Sequence, residues 1–160
     1  LAEYLNELLP RYKQQGLRAA ALFVDVDKFK SVNDLHGHEA GDVLLIELAR
    51  RLLASVRASD FVARLGGDEF IVILSPLGDA QEIDSCVQRI HEALQPALTL
   101  KDGTLLSISV TIGAALYPEH AQNLDELIRS ADAAMYSAKT RRRGSFAAFQ
   151  RNLHEDNLSS

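Results

Sequence analysis

Cysteine is almost absent. Cys86 stands alone in 160 residues, so no intrachain disulfide can form, and such usage suits a reducing compartment. Long apolar runs are missing too. Nothing approaches the roughly 18 consecutive apolar residues that a membrane-spanning helix needs. Positive charge is outweighed, with 17 Lys and Arg against 22 Asp and Glu, a net charge of −5. That balance disfavours broad contact with nucleic acid polymers and leaves room for a local basic site. No repeats, low-complexity segments or secretory signal are visible. Because the chain opens on Leu1, it reads as a piece cut from something longer. What remains is ordinary: 47% hydrophobic residues, in a length that suits one domain with a real core.

The most informative stretch is Arg64-Leu65-Gly66-Gly67-Asp68-Glu69-Phe70. It lies between Phe61-Val62-Ala63 and Ile71-Val72-Ile73-Leu74, two apolar runs around a glycine pair, which reads as a β-hairpin. Glycine permits positive φ in the turn and close approach of a ligand to the backbone. Asp68 and Glu69 then sit in succession at the mouth of a buried strand, where they repel each other and lower strand propensity. A solvated acidic hairpin is the plain alternative.

In chain order, residues 1–15 form a helix with Leu1, Leu5, Leu8 and Tyr12 on one face, kinked or shortened by Pro10 and stopped at Gly16. Residues 19–26 form an apolar strand buried on both faces, ending in Asp25-Val26-Asp27-Lys28-Phe29-Lys30. Asp27 would either join a site or cap a short helix. Residues 33–42 are a polar, glycine-punctuated loop. A helix follows with Leu45, Leu48, Ala49, Leu52, Leu53 and Val56 as its buried stripe and Asp42 in its first turn. His36 and His38 lack the partners a zinc site requires.

Arg57-Ala58-Ser59-Asp60 joins this helix to the hairpin, and residues 75–79 form a loop beyond it. Ile83, Val87, Ile90 and Leu94 mark a further helix closed by Pro96. A second hairpin turns over two residues at Asp102-Gly103. Residues 106–116 alternate as a strand with Ser107, Ser109 and Thr111 on a polar face. Leu124, Leu127, Ile128, Ala131, Met135 and Ala138 form the last helix, which runs into Lys139-Thr140-Arg141-Arg142-Arg143-Gly144. Residues 145–149 form an edge strand, and the polar stretch 150–160 is a linker. The expected domain is residues 1–149, an α+β layer sandwich with helices packed on a mixed sheet.

If the first strand lies beside the central hairpin, Asp25 meets Asp68 and Glu69. Three carboxylates at one sheet edge call for a cation, and oxygen ligands select Mg²⁺ or Mn²⁺. Lys139 and Arg143 would hold the outer phosphates of a nucleotide. The residues alone thus suggest a metal-dependent nucleotide site for phosphoryl chemistry.

Gly66-Gly67-Asp68-Glu69-Phe70 resembles the motif that names the GGDEF domain, the bacterial diguanylate cyclase. The likeness continues in order through Phe23-Val24-Asp25-Val26-Asp27-Lys28-Phe29-Lys30, Asn33-Asp34, Gly37-His38, Gly41-Asp42, Val62-Ala63-Arg64-Leu65, Ser109-Val110-Thr111-Ile112-Gly113, Tyr117-Pro118 and Ala131-Asp132-Ala133-Ala134-Met135-Tyr136-Ser137-Ala138-Lys139. It implies a mostly antiparallel central sheet flanked by helices, in the layout of nucleotidyl cyclases and polymerase palms. It also implies joining of two GTP into cyclic di-GMP with release of two pyrophosphates, by a homodimer of half-sites.

In that family Asp25 and Asp68 would hold Mg²⁺ (or Mn²⁺) by side chain and Val26 by its carbonyl. Glu69 would be the candidate general base, with Asp68 the other carboxylate in question. Asn33 and Asp42 would read guanine, and His38 and Leu45 would lie near the nucleoside. Backbone N–H groups of Lys28 and Phe29, with Lys139 and Arg143, would hold the β- and γ-phosphates, and Gly67 would let the triphosphate approach. Arg57 and Asp60 match the family's inhibitory product site, to which Arg89 could contribute; a routine surface ion pair is the alternative.

Two departures stand out. The Thr-Gly-Leu-Pro-Asn-Arg-like segment before Leu1 is missing. A glycine usually precedes the family's arginine, whereas here the run is Arg141-Arg142-Arg143-Gly144 and Arg142 competes for the role. The polar tail resembles the start of a linker to an EAL phosphodiesterase domain. The resemblance therefore allows an active cyclase or a silent module that binds GTP or cyclic di-GMP to regulate an attached sensory or EAL domain. A purine cyclase or polymerase palm lacks the Gly37-His38 and Tyr117-Pro118 segments as support. The domain is expected to be cytoplasmic, where GTP is, with no membrane contact of its own.

Overall fold

Residues 18–26 hold the fold together because both of their faces are apolar. The computed structural model describes residues 2–141 and 146–148, and in it Arg18–Val26 (β1) is the central strand. Before it runs the helix α1 (Ala2–Gln15). After it come α2 (Phe29–His36), α3 (His38–Ala54), β2 (Phe61–Gly66), β3 (Glu69–Leu77) and α4 (Gln81–Ala93). The chain continues through β4 (Leu98–Thr99), β5 (Leu105–Leu106), β6 (Val110–Tyr117), α5 (Leu124–Arg141) and β7 (Phe146–Ala148). The main sheet has the order β2-β3-β1-β6-β7, antiparallel throughout except for the parallel β6–β7 edge. The expected mixed, mostly antiparallel sheet flanked by helices is what is found.

Alternation along β1 feeds two cores, as the period of two requires. Ala20, Leu22, Val24 and Val26 pack with α3 and α4, alongside Phe70, Val72, Ile112 and Ile90. Ala19, Ala21 and Phe23 pack on the other face with α1 and α5, alongside Ile71, Ile73, Tyr117 and Leu127. Asp25 continues the second series and therefore points to the α5 side of the sheet. Arg51, itself buried, donates to the carbonyls of Ala93 (3.2 Å) and Pro96 (2.6 Å) and so ties α3 to the C-terminal end of α4.

Several local expectations are corrected. The helix α1 runs on through Pro10, because the proline and its i−4 partner Asn6 both lie on the exposed face. The polar stretch 33–42 is not a loop. It divides between the end of α2, whose Phe29 and Val32 pack only partly buried against the core, and α3, which begins at His38. Asp42 therefore lies a turn further into α3 than expected. Leu53 is 60% exposed, and Leu44 takes a place in the buried stripe. The strand β3 extends to Leu77 across the supposed loop at Ser75.

The second hairpin closes over residues 101–103, with the Leu100 N–H donating to the Thr104 carbonyl. The strand β6 begins at Val110, so Ser107 and Ser109 precede it and stay exposed, and only the third member of the expected polar face lies within it. Thr111 is fully buried, and its hydroxyl donates to Asp27 at 2.6 Å, as that of Ser109 does at 2.7 Å. Asp27 is thus a clamp between β1 and β6, and it makes no side-chain cap on α2. The edge strand is Phe146–Ala148; residue 1, residues 142–145 and the tail from residue 149 lie outside the described residues. No helix among the described residues is long and apolar enough to cross a membrane.

The seat of α5 on β6 is set by Gly113. A Cβ there would lie 2.0 Å from the Met135 nitrogen and 2.3 Å from the Ala131 carbonyl oxygen, both backbone atoms of α5. Backbone cannot rotate away as a side chain can. Gly113→Ala is therefore expected to destabilise by about 3 kcal/mol or more, a fall of roughly 6–12 °C in melting temperature. A thermal melt unchanged from the parent would show that helix and strand are not this close.

Candidate functional site

Antiparallel pairing of β1 with β3 makes Asp25 and Glu69 register partners at one end of the sheet. The β2–β3 turn completes the cluster. Gly66 and Gly67 have φ of 144° and 50°, values that side-chain-bearing residues seldom adopt. A Cβ at Gly67 would meet open space, so the glycine serves the turn's conformation and leaves its outer face clear. Arg64 donates to the Gly67 carbonyl through Nε (3.0 Å) and Nη2 (2.7 Å), and the Val26 N–H donates to the Asp68 carbonyl at 3.2 Å. These bonds lock the turn against the end of β1. The expected meeting of Asp25 with Asp68 and Glu69 is therefore found.

The cluster's charge is answered from α5. Lys139 Nζ donates to Asp25 Oδ2, and both side chains are largely sheltered. Burial pushes the Asp25 carboxyl up; the Lys139 contact opposes that rise, and the nearby Asp68 charge adds to it. Glu69 is raised as well, first by burial, then by the charges of Asp25, Asp132 and Asp68. Asp132, itself raised by burial, was not foreseen. It lies two helical turns before Lys139, a spacing of seven that sets both on one face of α5, and that spacing was legible. Arg64 was also missed, for nothing in a hairpin pattern marks a side chain that closes its own turn.

Lys139 neutralises Asp25, and no cluster of three or more His, Cys, Asp or Glu side chains among the described residues is arranged to hold a metal ion. His36 and His38 are exposed. The oxygens of Asp25 and Asp68 with the Val26 carbonyl are still a hard donor set. It suits Mg²⁺ or Mn²⁺, which take one or two carboxylates and complete their shells with water and phosphate. Arg143 and Arg142, the expected second cations, lie outside the described residues.

The segment after β1 carries a strained residue and an unpartnered buried acceptor. Lys28 adopts the left-handed conformation (φ 57°) at the entry to α2. Behind it, Asn33 Oδ1 is buried and has no hydrogen-bond partner among the described residues. Such an orphan is costly unless a ligand or water completes it. Gly41 makes its place, for a Cβ there would sit 1.9 Å from Asn33 Oδ1 and 3.1 Å from the Phe29 ring. Asp42 and His38 are exposed on α3, open to a ligand. Leu45 is only 5% exposed and belongs to the core beneath.

Arg57 and Asp60 do pair, but the two are unequally placed. The Arg57 side chain is 45% exposed, the Asp60 carboxylate 1%. Asp60 accepts from the Arg57 backbone N–H (2.8 Å), from Arg57 Nε (3.2 Å) and Nη2 (3.0 Å), and from the Ser75 N–H (3.1 Å). Arg57 also donates to the Pro76 carbonyl at 2.8 Å. Asp60 is therefore an anchor, and Arg57 is the exposed member of the pair. Arg89, which donates to the Ser55 carbonyl at 3.1 Å, joins Arg57, Asp60, Glu82 and Ser85 around a cavity of about 460 Å³.

Comparison with known proteins follows this geometry. The family model described as "Diguanylate cyclase, GGDEF domain" matches residues 1–145. The diguanylate cyclase TpbB of Pseudomonas aeruginosa is 48% identical over 141 residues, 88% of this chain and 32% of that protein. MucR of the same species, a bifunctional diguanylate cyclase/cyclic di-GMP phosphodiesterase, is 40% identical over 157 residues, 96% of this chain and 22% of that one. The chain thus spans a third or less of these relatives. The solved GGDEF domain of TpbB (YfiN) superimposes with a TM-score of 0.92 at 41% identity, covering 99% of this chain and 92% of that one. The GGDEF domain of DgcB from Caulobacter crescentus, in complex with c-di-GMP, does so with a TM-score of 0.83 at 26% identity, covering 91% and 86%.

A raised carboxyl pKa means that ionisation costs stability. For Glu69 that cost is absent below the ordinary glutamate range near pH ~4 and is incurred as pH rises through its elevated folded value. Glu69→Gln is accordingly expected to melt higher than the parent at neutral pH, with the advantage fading in acid. Paired thermal melts across pH test this, and equal melting temperatures at neutral pH would contradict it.

Proposed function

Because the chain belongs to the GGDEF family of diguanylate cyclase domains, we propose that it condenses two GTP into cyclic di-GMP and releases two pyrophosphates. One observation carries this reading: Asp25 and Glu69 face each other across the β1–β3 ladder, with Asp68 in the glycine turn and Lys139 reaching in from α5. Supporting it is Asn33 Oδ1, a buried acceptor without a partner, whose need the N–H donors of a guanine edge would meet.

Each domain binds one GTP, and two domains face each other so that each 3′-hydroxyl meets the other's α-phosphorus. The guanine lies against Asn33 and Asp42, with His38 at the nucleoside. The triphosphate crosses the open face of Gly67 toward the N–H groups of Lys28 and Phe29, and Lys139 turns from Asp25 to a phosphate oxygen. Asp25, Asp68 and the Val26 carbonyl would hold Mg²⁺ or Mn²⁺, which when bound would supply charge neutralisation at the phosphates. Glu69, its affinity for a proton raised by burial and neighbouring carboxylates, takes the 3′-hydroxyl proton. The 3′-oxygen forms its bond to the α-phosphorus as the bond from that phosphorus to the α–β bridging oxygen breaks. Pyrophosphate carries away the electron pair, and in-line geometry with cationic partners lowers the barrier. The product returns to Arg57, where a guanine or phosphate engages the exposed guanidinium and inhibits.

The test is cyclic di-GMP formation from GTP and Mg²⁺ at high protein concentration, followed by chromatography. The parent is expected to turn over, and Glu69→Gln to lose roughly 100-fold or more. Chelation of the divalent ion should stop the reaction. Arg57→Ala should keep its initial rate and continue past the product level at which the parent slows. Nucleotide binding without turnover, even with the domains tethered in pairs, would make the chain a regulatory module. Product inhibition unchanged in Arg57→Ala would remove that site from the reading.

A further inference from the structure

Ser75 lies at the crossing of three contacts that meet behind Arg57. Its N–H donates to Asp60 Oδ1 at 3.1 Å, and the next carbonyl, of Pro76, accepts from Arg57 at 2.8 Å. Its hydroxyl donates to the Tyr12 hydroxyl oxygen at 2.7 Å, 63 positions away in sequence. Tyr12 belongs to α1 and Ser75 to β3, and both side chains are buried. The bond between them is therefore largely sheltered, where the loss of a hydrogen bond is felt.

The neighbourhood gives that bond unusual weight. A cleft of about 300 Å³ separates α1 from the 58–61 segment, lined by Tyr4, Leu8, Ser59, Phe61 and Pro76 as well as the two hydroxyl partners. Close packing is interrupted there, between α1 and the segment that follows Arg57. The Tyr4 and Phe61 rings meet at 5.6 Å across the rim, and the hydroxyl pair adds a directional contact between α1 and β3.

We propose that Tyr12 is a positioning residue for the Arg57–Asp60 product site, holding Ser75 so that Asp60 presents Arg57, and that α1 and cyclic di-GMP affinity are thereby coupled. The inference rests on the product-site reading above. Coupling between two sites is reciprocal, so bound product must in turn hold α1 more firmly. Tyr12 touches neither the carboxylate cluster nor Lys139, so the coupling leaves the chemical step alone.

Tyr12→Phe keeps the ring and removes only the hydroxyl. It is expected to weaken cyclic di-GMP binding roughly three- to tenfold, about one hydrogen bond's worth, with the initial rate unchanged. Ser75→Ala should match it, and the double variant should be no weaker than either single one. Hydrogen–deuterium exchange supplies an independent readout: cyclic di-GMP should slow exchange in α1 of the parent and not in Tyr12→Phe. If the parent binds product and Tyr12→Phe binds it equally well, with α1 exchange unmoved by product, the coupling is wrong and the product site stands. If Tyr12→Phe lowers melting temperature and initial rate together while leaving the inhibition constant unchanged, Tyr12 is merely structural. If the parent binds no cyclic di-GMP, or Arg57→Ala does not weaken it, the product-site reading fails and takes the coupling with it.

Discussion

The antiparallel ladder between β1 and β3 is the constraint on which the rest depends. Its register sets Asp25 opposite Glu69. Two carboxylates at the end of a buried sheet repel each other and resist desolvation, so the protein must spend stability to keep them. It does so with one cation from α5, Lys139, and with a glycine turn whose geometry Arg64 closes. The cluster is costly at rest and useful only when a ligand with matching charges arrives. Sites of that kind recur where function outweighs local stability.

The cores on either side serve this arrangement. Odd-numbered β1 residues bury against α1 and α5, which aims Asp25 at the α5 side. Gly113 lets α5 lie directly on β6, and that close seat fixes how far Lys139 can reach. Asp27 then clamps the end of β1 to β6 through Ser109 and Thr111, so the Lys28–Phe29 backbone leaves the strand from a fixed point. On the opposite face, Gly41 lets Asn33 tuck against α3. Carboxylate oxygens and a cationic arm thus gather at one end of the sheet, with a buried unpartnered acceptor on the helix that follows β1.

Much of this was legible in the residues, and what was not has physical reasons. The hairpin at Gly66-Gly67 announced itself because positive φ demands glycine and apolar runs flank it. The pairing of β1 with β3 could only be supposed from composition, since it joins residues more than forty apart; the family resemblance supplied it. The second half of α2 was read as loop because Asn33, Asp34 and His36 are polar, while its apolar residues Phe29 and Val32 lie before that stretch and are only partly buried against the core. Ser107, Ser109 and Thr111 looked like one wet face; Ser107 and Ser109 are exposed, but Thr111 is buried and its hydroxyl is taken by the Asp27 carboxylate. Arg57 and Asp60 were rightly paired, but the burial of Asp60 comes from Ser75, a contact across 15 residues that no local pattern carries.

The central claim is that the carboxylate cluster, Lys139 and the Asn33 recess form one nucleotide site. A crystal structure with Mg²⁺ and a GTP analogue that cannot lose pyrophosphate tests it most directly. The triphosphate should cross the Gly66–Gly67 turn, with Lys139 moved from Asp25 to a phosphate oxygen and guanine hydrogen-bonded to Asn33 Oδ1. An analogue found elsewhere, with the Lys139–Asp25 pair intact and Asn33 still unpartnered, would contradict it.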